Sequence, residues 1–284
     1  MNKLDQIKFE TKLLLKILRN RYIRNQKRTR TKGTVQKDYD QNAWKNIFLS
    51  KYWEKAKNLE EFCFSVIPTS GLKTDTKITC LIDGKLTRIT TQSYQNYVSK
   101  KHYEIMKNFL DENDEIIELG CGFGYRLFSL RMQGLKNQMR GYDVSTYGTK
   151  TAEEINNFFS CDIKFGKFDM TEDFDTSILT GKTVFTYHSL EQLKYYTQKV
   201  ISNLIKSKPR QVLHFEPVPE LLGFNLLDIV SKQHNSYADY QNNLLSTLKN
   251  FEKNHLVNIT DVKRLRYVNP VNETTLIRWI PKQN

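Results

Sequence analysis

The sequence predicts an α/β protein built on a doubly wound, mostly parallel sheet of seven strands. Three observations indicate this fold. From Asp114 onward, apolar segments alternate with segments long enough for a helix, which is the pattern of parallel strands joined by right-handed crossovers. The first apolar segment runs straight into three glycines at alternate positions. The last two segments, joined by residues 269–273, predict an antiparallel pair that closes the sheet.

The sheet and its helices are predicted within residues 111–284, and residues 1–110 are predicted to form an N-terminal extension. The predicted strands are residues 115–119, 138–143, 163–169, 183–187, 211–215, 257–268 and 274–280. A helical region, residues 221–254, separates the fifth strand from the sixth. The extension is expected to combine helices with a β-hairpin and to form a lid over an acceptor site.

Two helices are predicted at the start of the extension, separated by a loose polar stretch over residues 26–40. The first helix spans residues 2–25 and places five apolar side chains near one face: Leu4, Ile7, Leu14, Leu18 and Tyr22. The second helix spans residues 41–64 and carries four aromatic side chains that we expect in the core: Trp44, Phe48, Tyr52 and Trp53.

A β-hairpin is predicted next, because Asp83-Gly84 separates two β-like segments, residues 78–82 and 85–89. Both central residues of such a turn take positive φ, which aspartate tolerates and glycine adopts freely. Ser93 is then expected to cap a helix that continues to Leu110.

The net charge of +13 is concentrated at the N-terminus, where residues 1–37 contain twelve basic and two acidic side chains. Basicity is therefore a property of this arm, which argues against a nucleic-acid-binding surface over the whole protein. Its first helix is expected to pack on the body or on a second subunit as a homo-oligomer contact. A membrane-surface helix and a phosphate-binding arm are the alternatives.

Composition predicts a cytoplasmic protein with no bound metal. The sequence has no apolar run of about 18 residues that would span a bilayer, and its first residues do not resemble a secretory signal. Four scattered cysteines, Cys63, Cys80, Cys121 and Cys161, lack metal-ligand spacing and are expected to be reduced thiols.

The most informative motif is the glycine triplet Gly120, Gly122 and Gly124, which directly follows a predicted strand. Glycine lets the backbone turn sharply and approach a ligand. A dinucleotide fingerprint has its third glycine one residue later, where this chain has Tyr125. The chain instead places Glu118 two residues before the first glycine.

This motif resembles motif I of the class I S-adenosylmethionine-dependent methyltransferases, and the resemblance extends over roughly residues 114–281. It implies a Rossmann-like methyltransferase fold and S-adenosylmethionine as cofactor. It also implies that the cofactor is bound by Glu118, Gly120, Gly122, Gly124, Asp143, Val144, Asp169, Met170 and Tyr187. In the family the acid after the second strand, here Asp143, takes the ribose hydroxyls. The acid after the third strand, here Asp169, faces the adenine amino group, with Met170 at the adenine face.

Two clusters are candidates for the catalytic chemistry. His188 follows the fourth strand, where the methyl group is expected to project, and an imidazole is suited to removing the proton of a hydroxyl acceptor. Glu191 lies within reach if a helix begins there. The fifth strand ends with His214 and Glu216, and we predict Glu216 as the second catalytic residue.

Motifs that the sequence lacks narrow the acceptor. It has neither the acidic set that holds magnesium in catechol-type relatives nor the signatures of amino-adenine or cytosine-5 methylation. We therefore expect O-methylation of a small or carrier-linked acceptor, such as a sugar, nucleotide-sugar or phosphate-bearing intermediate of surface-glycan or secondary metabolism. The alternatives are an RNA methyltransferase that uses the basic arm and a non-catalytic cofactor-binding scaffold.

Overall fold

A computed structural model describes residues 2–19, 29–65 and 75–282. Its strands are β1 Lys77–Ile82, β2 Lys85–Thr90, β3 Ile116–Leu119, β4 Met139–Asp143, β5 Ile163–Lys167, β6 Thr183–Tyr187, β7 Gln211–Glu216, β8 Val257–Asn269 and β9 Asn272–Pro281. Its helices are α1 Lys3–Leu18, α2 Lys32–Asp38, α3 Lys45–Ser50, α4 Leu59–Ser65, α5 Thr91–Phe109, α6 Tyr125–Met132, α7 Thr146–Phe159, α8 Thr197–Lys206, α9 Leu226–Ala238 and α10 Leu244–Lys253.

The described strands form one sheet in the order β2-β1-β8-β9-β7-β6-β3-β4-β5. Strands β3 to β7 run parallel to one another. Strand β9 lies antiparallel to both β7 and β8. The predicted seven-stranded, doubly wound sheet with a closing antiparallel pair is therefore confirmed. The N-terminal hairpin adds two strands at its edge, where Leu81 pairs with Val268.

Helices cover both faces of the parallel strands, which explains why β3, β6 and β7 are buried along their whole length. Successive residues of a strand point to opposite faces. In β3, Ile116 packs in a cluster with Phe128 and other side chains of one layer. Ile117 packs in the opposite layer, with Val200 of α8. The short strand thus holds the two helical layers together directly before the glycine loop.

The hairpin prediction is confirmed, since Asp83 and Gly84 have φ values of 47° and 80° between β1 and β2. The predicted cap of the next helix is displaced by three residues. Thr90, not Ser93, is the N-cap of α5, and its hydroxyl accepts the backbone N–H of Ser93. Thr90 ends β2 with an extended backbone, so its hydroxyl can accept an N–H group of the first helical turn that has no partner within the helix.

The first helix is present, and its buried face agrees with the prediction only in part, since Leu14 packs against the body. Phe9 and Ile17 face the body, where Ile17 packs with Val230 of α9. Leu4 and Ile7, which were expected on the buried face, are 61% and 46% exposed. The position of α9 selects the face, which the apolar spacing alone does not determine. Tyr22 and the rest of the predicted helix beyond residue 19 lie outside the described residues.

The predicted second helix is wrong as one continuous element. A π-helical turn over Tyr39–Trp44 leads into α3, Lys51 takes a left-handed conformation at φ 44°, and a short 3₁₀ turn precedes α4. The described part of the stretch expected to be loose contains α2, which begins with a capping box at Thr31. The pieces of this segment pack on different helices: the π-helical turn and α3 on α7, and α4 on α5 and α6. No helix in the described ranges is long and apolar enough to cross a membrane.

Candidate active site

A cavity of about 580 Å³ lies at the carboxyl ends of the parallel strands. Its walls come from the glycine loop, from the residues that follow β4, β5 and β6, and from three parts of the N-terminal extension: α2, the π-helical turn after it and the start of α5. Small-molecule sites typically occupy about 300–1,000 Å³ and lie at this edge of an open α/β sheet. The fold therefore brings the predicted site residues, except Gly124 and Glu216, together around one ligand-sized space.

The glycine loop forms one wall of this cavity. Gly120, Gly122 and Gly124 have φ values of 76°, 55° and 79°, a region that side chains with a Cβ rarely adopt. The backbone N–H of Gly120 donates to the carbonyl of Tyr142, which ties the loop to β4. Gly120 and Gly122 line the cavity, whereas Gly124 lies behind it as the N-cap of α6, against the ring of Phe165.

Asp143 closes the loop from the end of β4. One carboxylate oxygen accepts the N–H of Gly122 at 2.7 Å, and the other accepts the N–H of Ser145 at 2.8 Å. Burial raises the pKa of Asp143, and these two backbone N–H groups act in the opposite direction. Each oxygen retains a lone pair for a ligand hydroxyl. Val144, the next residue, is 42% exposed and also lines the cavity.

Glu118 lies beneath the loop, with a side chain that is almost completely buried. Its Oε2 has no hydrogen-bond partner among the described residues. Burial raises the pKa of Glu118 to about 8; the nearby Arg126 opposes this rise and Asp143 adds to it. An unpartnered carboxyl oxygen at a cavity wall is costly to the empty protein, so it indicates a ligand with a donor or a positive charge.

Asp169 and Met170 line the cavity next to the end of β5. One oxygen of Asp169 accepts the N–H and the hydroxyl of Thr171, and the other accepts Lys32 Nζ at 3.2 Å. Although burial raises the pKa of Asp169, these hydrogen bonds outweigh it and leave the pKa below its usual value. Lys32 belongs to α2 and was not foreseen as a site residue, since nothing in the local sequence pairs it with Asp169.

The N-terminal extension also contacts the glycine loop directly. Asp40 accepts the Ser145 hydroxyl at 2.6 Å and the Tyr147 N–H at 2.9 Å, and so ties the π-helical turn to α7. The indole of Trp44 lies so close to Gly122 that a Cβ there would come within 2.9 Å of a ring carbon. The polar stretch that was expected to be loose is thus part of the cavity wall.

His188 lies at the cavity wall directly after β6, with an unusual φ of 51°. Its Nδ1 is 3.0 Å from Glu191 Oε2, and its Nε2 is 2.8 Å from the hydroxyl of Thr274. Asn272 donates its amide to the same Glu191 oxygen at 2.9 Å. Both ring nitrogens are therefore held by side chains, and the pairing with Glu191 favours the proton on Nδ1 and the lone pair on Nε2.

The structure contradicts the catalytic role predicted for Glu216. The residue is fully buried and does not line the cavity. Its carboxylate accepts the backbone N–H groups of Ser189, Leu190 and Glu191, so it holds the turn that carries His188. Burial, together with the charge of Glu191, raises its pKa to about 7. The carboxylate of Glu216, the last residue of β7, therefore points into the protein, where it accepts the N–H groups of this turn.

His214 is likewise a core residue. Its side chain is fully buried, contacts the Thr186 hydroxyl and accepts the indole N–H of Trp279 at 3.0 Å. Burial lowers its pKa to about 3, which keeps the ring neutral. In the parts of the chain that the structure describes, no group of three or more His, Cys, Asp or Glu side chains is arranged to hold a metal ion.

The strand order and the cavity at the carboxyl edge define a class I methyltransferase fold. Magnesium protoporphyrin IX methyltransferase from Synechocystis PCC 6803, solved with bound SAH, superimposes with a TM-score of 0.50 at 13% identity, over 67% of this chain and 85% of that one. The pyocyanin biosynthetic protein PhzM superimposes with a TM-score of 0.51 at 9% identity, over 66% of this chain and 56% of that one. No protein-family model and no curated protein sequence matches the chain.

Proposed function

We propose that this chain is an S-adenosylmethionine-dependent methyltransferase that methylates an oxygen of a small or carrier-linked acceptor. One observation supports it above the others: a glycine loop with three positive φ values is tied through Gly122 to Asp143 at the wall of a ligand-sized cavity. The carboxylate of Asp143 and the side-chain-free backbone of the glycine loop thus face the same ligand space.

The donor set fits the chemistry of this cofactor. Asp143 has free lone pairs for two adjacent hydroxyls, Met170 offers an apolar contact for a base, and the unpartnered oxygen of Glu118 suits an ammonium group. Asp169 would face the base, with Lys32 holding its second oxygen. When bound, S-adenosylmethionine supplies a methyl group on a positively charged sulfur. The protein has to align the acceptor oxygen with that methyl group.

His188 is the proposed base, and Glu191 is the proposed positioning residue. Glu191 fixes the ring through Nδ1, so that the basic nitrogen is Nε2. In the structure Nε2 contacts the Thr274 hydroxyl, so taking the acceptor proton requires that this contact be exchanged for the acceptor hydroxyl. The exchange replaces one hydroxyl by another on the same nitrogen and leaves the Glu191 contact in place.

The acceptor end of the cavity combines aromatic and amide side chains. Tyr94 and Gln95 come from α5, and Asn269 and Asn272 flank the turn between β8 and β9. Tyr187, which was predicted to contact the cofactor, ends β6, and we place it where the cofactor and the acceptor meet. Rings and amides together suit a sugar or another hydroxylated small molecule, so we retain the proposed sugar or nucleotide-sugar acceptor. Of the basic arm, Lys32 lines the cavity, where it is paired with Asp169 and Glu172, so RNA methylation through that arm stays the alternative.

Asp143→Ala is expected to weaken binding of S-adenosylhomocysteine by roughly 1–3 kcal/mol, the usual loss for hydrogen bonds to a charged group. This is about a 5- to 150-fold rise in Kd, measured by calorimetry on the full chain. Asp173→Ala removes a carboxylate whose side chain is 90% exposed and should change nothing. Unchanged affinity in a folded Asp143→Ala protein would contradict the assignment of Asp143 to the ribose. Absence of binding to the wild type would contradict the proposed cofactor.

Glu118 predicts how this affinity depends on pH. Its pKa of about 8 means that the carboxyl is mostly protonated at neutral pH. If the ligand ammonium favours the charged form, the affinity for S-adenosylhomocysteine should rise by up to about tenfold per pH unit below pH 8 and then level off. Glu118→Gln should flatten the profile between pH 6.5 and 8.5. A wild-type profile that is already flat would contradict this contact.

The same carboxyl predicts a pH dependence of stability. The folded protein holds the Glu118 proton more tightly than the unfolded chain, whose pKa is near 4.5. The free energy of unfolding should therefore fall as pH rises from about 4.5 to about 8. In Glu118→Gln the free energy of unfolding should fall less over the same pH range. Urea unfolding of the two proteins at pH 5 and pH 8 measures the difference.

A further inference from the structure

Arg126 is a cation without a counter-ion in the wall of the cavity. It is the second residue of α6, and its guanidinium lies over the ring of Tyr187, with Cζ 3.9 Å from the ring centroid. Its Nη1 is buried and has no hydrogen-bond partner in the described parts of the chain. Among those residues no carboxylate lies within ion-pair distance of it, although the structure pairs many other arginines and lysines with acids.

The surroundings of the guanidinium do not compensate its charge. Its neighbours are the phenol groups of Tyr94, Tyr125, Tyr187 and Tyr267. Burial raises the pKa of the Tyr94, Tyr125 and Tyr267 phenols, so these three groups stay neutral at physiological pH. Glu118 interacts with the guanidinium at longer range, but it is mostly protonated near pH 7. The Arg126 side chain as a whole is half-buried, but its Nη1 is buried and unpaired, which destabilises the protein without a ligand.

The shape of the group indicates what it binds. A guanidinium presents parallel N–H groups in a plane, which match the two oxygens of a carboxylate or phosphate, and stacking on an aromatic ring leaves that edge free. Here Tyr187 occupies one face of the guanidinium. Arg126 lines the cavity and its Nη1 has no partner among the described residues, so the guanidinium has donors to offer to an anion bound there.

The position in the sheet separates this group from the proposed ribose and adenine contacts. Asp143 and Asp169 follow β4 and β5, on one side of β3. Tyr187, against which Arg126 stacks, ends β6 on the other side of β3. That side also holds Asn269 and Asn272, at the proposed acceptor end.

We propose that Arg126 binds an anionic group, a carboxylate or a phosphate, of the methyl acceptor. This rests on the proposed function, because it assigns the β6 side of the cavity to the acceptor. The acceptor thus carries its negative charge next to the oxygen that is methylated, and Arg126 selects such molecules over neutral hydroxyl compounds.

The test measures binding of two probes, inorganic phosphate and benzoate, to the full chain by calorimetry, with and without saturating S-adenosylhomocysteine. Wild type should bind at least one of them at a single site, and the probe that binds distinguishes a phosphate acceptor from a carboxylate one. Arg126→Met should weaken that binding at least tenfold, and Arg126→Lys should weaken it less, because the ammonium keeps the charge but loses the fork. Benzamide, a neutral analogue of benzoate, should not bind at the site.

Two controls make the result specific. Because Arg126 lowers the pKa of Glu118, its effect on the cofactor is measured in a Glu118→Gln background, where Arg126→Met should change the affinity for S-adenosylhomocysteine by less than about threefold. Arg88→Met, which removes an exposed arginine on β2, should change neither affinity. The thermal midpoint of ligand-free Arg126→Met should equal or exceed that of the wild type, because an unpaired buried charge has been removed.

Three outcomes would overturn the proposal: no anion binding to the wild type, equal anion binding to Arg126→Met, or a tenfold loss of S-adenosylhomocysteine affinity when Arg126→Met is added to Glu118→Gln. The last outcome would mean that the guanidinium binds the carboxylate of the cofactor. If the wild type binds an anion through Arg126 but does not bind S-adenosylhomocysteine, the proposed function fails while the anion site stands. Should Arg126→Met not fold, Arg126→Lys and Arg126→Gln provide the same comparison.

Discussion

His188→Ala is expected to lower kcat by about 10²–10⁴-fold, the usual contribution of a positioned base. Its affinity for S-adenosylhomocysteine should stay within about twofold of the wild type, because the imidazole acts on the acceptor rather than on the cofactor. The loss should appear in single-turnover transfer of a labelled methyl group to the acceptor. His255→Asn, which changes an exposed histidine after α10, is the matched control.

The neighbours of His188 distinguish a base from a structural histidine. Glu191→Gln removes the charge that holds Nδ1 and should lower kcat about tenfold with little change in KM, since it disturbs only the orientation of the ring. Thr274→Val removes the hydroxyl on Nε2 and should not lower kcat, because the basic nitrogen then faces no competing partner. A histidine that only stabilises the turn would make both variants less stable without a selective effect on kcat.

Near-normal turnover of His188→Ala would exclude the base role. Of the two nearby carboxylates, Glu216 is fully buried and bound to three backbone N–H groups, so it could not replace the histidine. Glu191 lines the cavity, and adding Glu191→Gln to His188→Ala tests whether it takes over. An acceptor oxygen that is already ionised, such as a phosphate oxygen, would then need only alignment with the methyl group. That result would agree with an anionic acceptor next to Arg126.

Gly122→Val is expected to abolish measurable binding of S-adenosylhomocysteine, a loss of more than about 100-fold in affinity. A β-branched residue at φ 55° costs roughly 1–2 kcal/mol by itself. A Cβ at this position would also lie 2.9 Å from the indole of Trp44, so the loop or the indole has to move. Movement of the loop breaks the hydrogen bond from Gly122 to Asp143 on which the site depends.

Gly134 provides a matched control for this substitution. It also has a positive φ, of 94°, but a Cβ there would meet nothing within 4 Å. Gly134→Val should therefore lower stability through backbone strain alone and leave cofactor affinity unchanged. Combining Gly122→Ala with Trp44→Ala removes the steric part and should recover some affinity relative to Gly122→Ala. Wild-type affinity in Gly122→Val would contradict the assignment of the loop to the cofactor.

The predictions from sequence were accurate where the physical cause is local. The alternation of apolar segments determines parallel strands and their order along the chain, and the glycine triplet determines a loop with positive φ. Asp83-Gly84 similarly determines its own turn. The same local reasoning misplaced the helix cap at Ser93 by three residues and put Leu4 and Ile7 on the buried face of α1, because a strand end and a neighbouring helix decide those features.

The sequence by itself therefore determined the sheet, the glycine loop and the positions of the carboxylates within β3, at the end of β4 and after β5. Only the tertiary structure decided what surrounds them. Lys32 meets Asp169 across 137 residues, Asp40 meets Ser145 across 105, and His188 meets Thr274 across 86. No periodicity or motif encodes such pairs, because each depends on where packing brings two distant segments together. For the same reason Glu216 proved to hold a backbone turn, and Arg126 was recognised as an unpaired cation only from its neighbours in space.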